Sequence, residues 1–336
     1  MKHLLYIGNK LSEHGNTETS IETLGAFLEM EGYTVYYASS KKNKMLRLLD
    51  MIIKTFTYAG KVDYVLIDTY STYNFWFAFI ISQLCRVLRV RYISKLHGGD
   101  LPNRIKKSRF FCDMIFKNAY INVAPSNYLL DAFKETGYSN LIYIPNTIEL
   151  QNYLFTKRNY SNPKLLWVRS FAKIYNPMMA IKVLSLLKKD YPNASLCMVG
   201  PIKDESYDET VFLAKKMKVE VAFTGKLAKE YWIELSKEYT VFINTTHFDN
   251  TPISVIEAMA IGLPIVSTNV GGISYLLQHQ KNALLVEDND VKGMVSEIKN
   301  LLANPNLAIK LTENALDTVE NFDWKIVKKQ WFELLK

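Results

Sequence analysis

The chain has 336 residues, of which 49% are apolar and 22% charged; this excludes a disordered chain and is longer than one hydrophobic core usually grows, so two α/β domains are expected. The formal net charge of +8 is unevenly placed: residues 1–160 hold 20 Lys+Arg against 13 Asp+Glu, and residues 161–336 hold 21 against 20. A basic first half suits an anionic acceptor, a phosphate-bearing lipid carrier or an anionic membrane surface, while no motif points to nucleic acid as a partner.

From the N-terminus, short apolar runs alternate with helix-length segments: a run at 3–8, a helix at 17–32, then runs at 33–38, 64–68 and 92–96. This is the pattern of a parallel sheet crossed by helices, and the run at 3–8 reads as a first strand rather than a leader. Residues 41–54 (KKNKMLRLLDMIIK) are basic and amphipathic, and residues 75–91 mix aromatics with arginines. Both fit either helices packed on a sheet with a basic outer face or a surface resting on a membrane. The most apolar stretch, 74–90, is broken by Ser82, Gln83, Arg86 and Arg89, so no spanning helix is expected; a cytoplasmic chain, peripheral at most on the inner face of a membrane, is. Cys85, Cys112 and Cys197 lie far apart in apolar contexts and read as buried thiols.

Runs at 121–124 and 141–144 close the first half, with Pro145-Asn146 as its end, and the polar, aromatic stretch 149–163 reads as a linker. The pattern then restarts with runs at 164–168, 195–199, 219–223, 241–244, 264–267 and 283–286. The expected architecture is α/β: two tandem Rossmann-like, doubly wound domains facing a cleft lined by strand-to-helix loops. The expected boundaries are 1–150 for the first domain, 151–163 for the linker, 164–320 for the second domain and 321–336 for a terminal amphipathic helix, with Trp324, Val327, Trp331 and Leu334 on one stripe.

The most informative stretch is 248–272, FDNTPISVIEAMAIGLPIVSTNVGG. Thr251 is a good N-cap, Pro252 suits the first helical position, Gly262 suits the position after the last, and Pro264 prevents continuation, so a helix over about 252–261 is expected. Its first turn would offer unpaired amides to a phosphate or to a sugar's oxygens. Glu257 lies among Val255, Ile256, Ala258 and Met259, where a carboxylate needs a partner. Two readings stand: a solvated or lysine-bound side chain, or one that accepts from two adjacent hydroxyls, as a ribose presents.

Asp249, seven residues, Glu257 and then AMAIGLPIVSTNVGG resemble the E-x7-E signature of retaining glycosyltransferases of the GT-B fold, in the family called GT4. The resemblance extends over most of the chain. It implies that 1–150 binds the acceptor, that 164–320 binds a nucleotide sugar, and that the terminal helix packs back on the first domain. It also implies Glu257 as the ribose ligand, with Asp249 and the backbone of Asn250, Thr251, Pro252, Ile253 and Ser254 lining the sugar site. The departure is Asp for the first Glu, a shorter arm that bears on donor identity.

Residues 165–177 (LLWVRSFAKIYNP) resemble the family's first donor-domain strand, implying Arg169 and Lys173 as a diphosphate clamp; the alternative is a surface Arg and Lys on a solvated loop. Gly225, Lys226 and Leu227 resemble the segment whose backbone reads the base. Gly15, in LSEHGNT at 11–17, stands where the family has a glycine-rich loop facing donor and acceptor, although the usual pair of glycines is a single one here. His97, before Gly98-Gly99 at a strand end, stands where related enzymes place a histidine near the donor sugar. Gly271-Gly272 reads equally as a turn or a phosphate contact, and Ser126 as a helix cap.

The implied activity is retaining, metal-independent transfer of a hexose-type sugar from a UDP- or GDP-sugar to a saccharide acceptor, in cell-surface polysaccharide or glycolipid assembly. No cofactor or metal is expected; Asp288-Asn289-Asp290 fits a helix cap better than a metal site. The competing readings are a silent nucleotide-sugar-binding subunit and a nucleotide-sugar epimerase of the same architecture. A nicotinamide-dependent oxidoreductase is disfavoured, because no G-x-G-x-x-G follows the first run.

Overall fold

The computed structural model describes residues 2–15 and 18–336. The chain divides into two compact units, residues 1–147 with 327–336, and 148–326.

In the first unit, β1 (His3–Ile7), β2 (Thr34–Ala38), β3 (Tyr64–Tyr70), β4 (Tyr92–His97), β5 (Ile121–Ala124) and β6 (Leu141–Tyr143) form a wholly parallel sheet in the order β2-β1-β3-β4-β5-β6. The crossovers carry α1 (Ser20–Met30), α2 (Lys44–Tyr58), α3 (Phe75–Val87), α4 (Leu101–Lys107), α5 (Arg109–Phe116) and α6 (Asn127–Glu135). Thr19 and Glu22 form a capping box at the start of α1, and the Ser126 hydroxyl accepts from the Leu129 amide at 3.1 Å at the start of α6. The helix expected at 17–32 thus begins at Ser20; Asn16 and Thr17 lie outside the described residues.

The second unit repeats the plan. Strands β7 (Lys164–Val168), β8 (Ser195–Val199), β9 (Ala222–Gly225), β10 (Val241–Asn244), β11 (Ile265–Thr268) and β12 (Leu284–Val286) lie parallel in the order β12-β11-β10-β7-β8-β9. Its helices are α7 (Pro177–Leu187), α8 (Ser206–Lys216), α9 (Lys229–Leu235), α10 (Ile253–Ala260), α11 (Ile273–Leu276), α12 (Val291–Ala303), α13 (Pro305–Glu320) and α14 (Trp324–Leu334), the last carrying residues of both units. Successive strand residues alternate between the two faces. Leu165, Trp167, Val241 and Ile243 join the core under α7 and α12, whereas Leu166, Val168 and Phe242 join the one under α10 and α13. Strand order reverses between β7 and β10, which makes the carboxyl edge there the natural ligand crevice.

Two expectations need correction, and one of two open readings falls away. The run expected as a strand at 219–223 is displaced to β9, because α8 ends in a left-handed Lys218 (φ 54°) and the Val219 amide turns back to the Ala214 carbonyl at 3.1 Å. The stretch 151–163 is not a free linker: the Arg158 guanidinium, held down to a pKa of about 10 by burial, donates to the carbonyls of Ser236, Tyr239 and Ile261, all in the second unit. Finally, α2 does not turn a basic outer face to water. Arg47, Met51 and Thr55 face inward, while Met45, Leu46, Leu49, Ile53 and Phe56 are each more than half exposed.

Candidate active site

The carboxyl ends of β7 and β10 bring Arg169 and Asp249 together. An Arg169 Nη2 hydrogen donates to Asp249 Oδ2 in a short ion pair, with 13% and 15% of the two side chains exposed. The guanidinium lies 4.0 Å from the centre of the Tyr175 ring, and its Nε is buried with no hydrogen-bond partner among the described residues. Asp249 Oδ1 accepts from the Asn250 amide at 2.8 Å, which ties the carboxylate to its own loop.

The glycines around this pair are there for close backbone approach. A Cβ on Gly272 would strike the Asn250 carbonyl and one on Gly271 the Asp249 carbonyl, and the Gly272 amide donates to the Asp249 carbonyl at 2.8 Å. They therefore support the Asp249 loop. Gly200 (φ 153°) admits the Arg169 carbonyl into the space a side chain would fill. Gly200→Ala is accordingly expected to cost about 2–3 kcal/mol of stability, measured by urea unfolding, because backbone rather than a flexible side chain must move.

Helix α10 begins at Ile253, one residue later than the sequence pattern suggests. Pro252 itself is the cap, in extended conformation (φ −71°, ψ 121°), and among the described residues no side chain caps the helix, so Thr251 does not serve as expected. At the other end Gly262 (φ 74°) fits the expectation: its amide donates to the Met259 carbonyl and the Leu263 amide to that of Ala258. Among the described residues the amides of Ile253 and Ser254 make no hydrogen bond, and the Ser254 hydroxyl is buried without a partner. Two orphan amides, an orphan hydroxyl and the orphan Nε of Arg169 are groups to which an anionic or polyhydroxylated ligand could bind.

Glu257 is 4% exposed. Its Oε1 accepts from the Tyr153 hydroxyl at 2.8 Å and lies 3.2 Å from Lys229 Nζ, whereas Oε2 accepts nothing among the described residues. Burial pushes the carboxyl above its usual range, and Lys229 and Tyr153 pull it partly back. The lysine-bound reading therefore holds for one oxygen and leaves the other available.

The remaining expected residues are more scattered. Lys173 pairs at 2.6 Å with Glu205, both well exposed, rather than joining Arg169. It also borders a cavity of about 460 Å³ with Asn176, Met178, Ser206 and His247. Gly225 is left-handed (φ 69°), and its carbonyl accepts from the Gly200 amide at 2.9 Å. Lys226 is exposed and Leu227 half-buried beside it. Asp290 caps α12, accepting from the Gly293 amide at 2.8 Å. Gly15 and His97 belong to the first unit. Gly15 ends a 3-10 turn with φ 81°, and the Asn16 and Thr17 that follow it in the expected loop lie outside the described residues.

His97 ends β4 with its Nε2 at 2.7 Å from Asp68 Oδ1 and its ring stacked on Tyr70 at 4.8 Å. Burial lowers its pKa, against the opposing pull of Asp68. Asp68 and the buried Lys95, whose pKa burial brings down to about 8, belong to no sequence motif. Their signal was present as charges inside the apolar runs YVLIDTY and YISKLH. Tyr153 and Lys229 left no such signal.

Residues 155–318 match the family model of the glycosyl transferases, group 1. The matched stretch lies within the second unit. An uncharacterized glycosyltransferase of Haemophilus influenzae is 28% identical over 59% of this chain; the alignment spans 55% of that relative, so the chain covers about half its length. Among solved structures, sucrose-phosphate synthase of Thermosynechococcus elongatus superposes with a TM-score of 0.83 at 16% identity, over 99% of this chain and 98% of that one. HepE of Anabaena, solved with UDP and glucose, gives 0.79 at 16% identity over 100% and 99%. The two six-stranded parallel sheets are those of the GT-B fold.

Proposed function

We propose that the chain transfers a hexose from a UDP- or GDP-sugar to a saccharide acceptor with retention at the anomeric carbon and without a metal, as a member of the GT4 branch. The observation that carries this reading is Glu257: a buried carboxylate with one oxygen tied to Tyr153 and Lys229 and the other unengaged among the described residues is suited to grip a ribose diol. Arg169 and the open amides of α10 stand at the strand reversal, where they would meet the charge of the diphosphate. Asp249, Asn250, Thr251, Pro252 and Ser254 would border the sugar, and Gly225, Lys226 and Leu227 the base. In the reaction the bond from the anomeric carbon to the diphosphate breaks and one to the acceptor oxygen forms on the same face. The acceptor's proton passes to the leaving phosphate. Lys173 could join the clamp cheaply, since an exposed pair such as Lys173–Glu205 is worth only about 0–1 kcal/mol.

A thermal-shift screen against UDP, GDP, ADP and their sugars tests the reading: one nucleotide should raise the melting point, and its sugar should then turn over with an added acceptor. Binding without turnover would favour a silent subunit, interconversion of donors an epimerase, and no shift at millimolar nucleotide would remove the reading.

A second observation favours a lipid-linked acceptor and peripheral contact with an anionic membrane, in keeping with cell-surface polysaccharide or glycolipid assembly. The outward face of α2 is apolar, and the exposed Lys41, Lys42 and Lys44 stand at its start, the charge arrangement that suits anionic lipid. The chain should co-sediment with phosphatidylglycerol vesicles. Leu49→Glu with Ile53→Glu should weaken that binding by roughly tenfold or more without lowering the melting point, and equal binding by the double variant would remove α2 from the contact.

A further inference from the structure

Beneath His97 the first unit buries a polar cluster built from three strands and a helix. Asp68, on β3, has a fully buried side chain whose Oδ1 accepts from the Tyr6 hydroxyl at 3.1 Å and faces His97 Nε2 at 2.7 Å. Its Oδ2 is buried with no partner among the described residues. Room for this carboxylate is left by Gly8, where a Cβ would come within 2.6 Å of Oδ2. Lys95, two residues before His97 on β4, is buried and donates to the Ser20 hydroxyl of α1. The His97 ring keeps 13% exposure, and its Nδ1 makes no hydrogen bond among the described residues.

We propose that Asp68 is a positioning residue that fixes His97 as its Nε2–H tautomer, so that Nδ1 presents a lone pair to a ligand hydroxyl at the carboxyl edge of the first sheet. An ionised carboxylate only accepts, so the nitrogen that meets it carries the hydrogen; a neutral ring then has none left for Nδ1. The groups facing the ring are consistent with a neutral imidazole. Tyr70 stacks on it and Tyr6 shares its carboxylate, and both hydroxyls are held protonated by burial. Lys95 adds positive charge nearby, and the Glu22 charge reaches Tyr70 from α1. The ring would therefore accept a hydrogen bond from the ligand, not donate one. That the ligand is a substrate of the transfer rests on the function proposed above; the tautomer does not.

The test is long-range proton–nitrogen correlation NMR on the nitrogen-15-labelled full chain, with the His97 signals assigned by His97→Gln. Wild type should show Nε2 protonated and Nδ1 bare at neutral pH. Asp68→Leu should average the two nitrogens and lower kcat/KM about 10–100-fold. Asp68→Asn, whose amide oxygen can still accept from Tyr6 and His97, should keep the tautomer and rescue most of kcat/KM. A protonated Nδ1 in wild type overturns the proposal, as does an unchanged tautomer in Asp68→Leu. Should Asp68→Leu fail to fold, the wild-type and Asp68→Asn spectra still decide. Absence of turnover in wild type would remove the function and leave the spectroscopic result standing.

Discussion

Glu257→Ala should abolish the rise in melting point that the matching nucleotide gives to the wild type, lowering nucleotide affinity by about 100-fold or more; isothermal titration calorimetry is the direct measurement. The magnitude follows from losing two charge-assisted hydrogen bonds at a buried site, each worth about 1.5–3 kcal/mol. The variant should also lose about 1–2 kcal/mol of stability, because the largely buried Tyr153 hydroxyl is left without its acceptor. Tyr153→Phe separates the two effects: it removes the same internal bond but leaves the carboxylate, so most of the nucleotide response should survive. Equal loss in both variants would mean that Glu257 supports the fold rather than a ligand.

The raised pKa of Glu257 gives this prediction a pH dependence with a definite sign. The ligand needs the carboxylate, so affinity should fall as pH drops through the elevated pKa of the free protein. Stability moves the other way. Above the ordinary carboxyl pKa, the unfolded chain has released a proton that the folded chain still holds, so the folded state loses stability as pH rises until its own pKa is passed. Glu257→Gln cannot ionise and should remove that slope from a series of urea titrations.

The parallel sheets were legible in the sequence because buried parallel strands are near-continuous apolar runs; β7 and β10 appear in the sequence with their observed limits. Features that depend on partners distant in sequence were not. Whether the apolar stripe of α2 faces the sheet or the solvent is decided by Arg47, which is drawn inward to the Lys41 and Lys42 carbonyls and to Asn9, and no periodicity within the helix announces that. Glu257 could be singled out from its apolar neighbours, but its Tyr153 partner lies 104 positions away in a stretch whose composition reads as a linker. Arg169 and Asp249 each stand out in the sequence, yet their mutual ion pair follows from β7 and β10 being neighbours across a reversal of strand order, which is a property of the whole sheet.

That ion pair sets the second large effect. Arg169→Ala should lower kcat by about 10²–10³-fold with the donor identified by the nucleotide screen, because a fixed cation aimed at a developing diphosphate charge is worth about 3–4 kcal/mol in a water-poor site. Asp249→Ala should behave differently. It leaves a largely buried guanidinium without its counter-charge, so stability should fall by up to about 3–5 kcal/mol. The double variant removes both charges and should recover part of that stability while remaining as slow as Arg169→Ala. A double-mutant cycle read by urea unfolding should give a coupling of about 1–3 kcal/mol. Additive stabilities would mean that the pair contributes nothing to the fold, and an unchanged kcat in Arg169→Ala would remove it from the diphosphate. Asp249→Glu distinguishes between two roles for the acid. The longer arm has to extend beside a loop already closed by Gly271 and Gly272, so a carboxylate that serves only Arg169 should tolerate the change in kcat/KM. One that also touches the donor should alter the ranking of donor sugars while leaving the nucleotide preference intact, because base and ribose would be held by the segment at 225–227 and by Glu257.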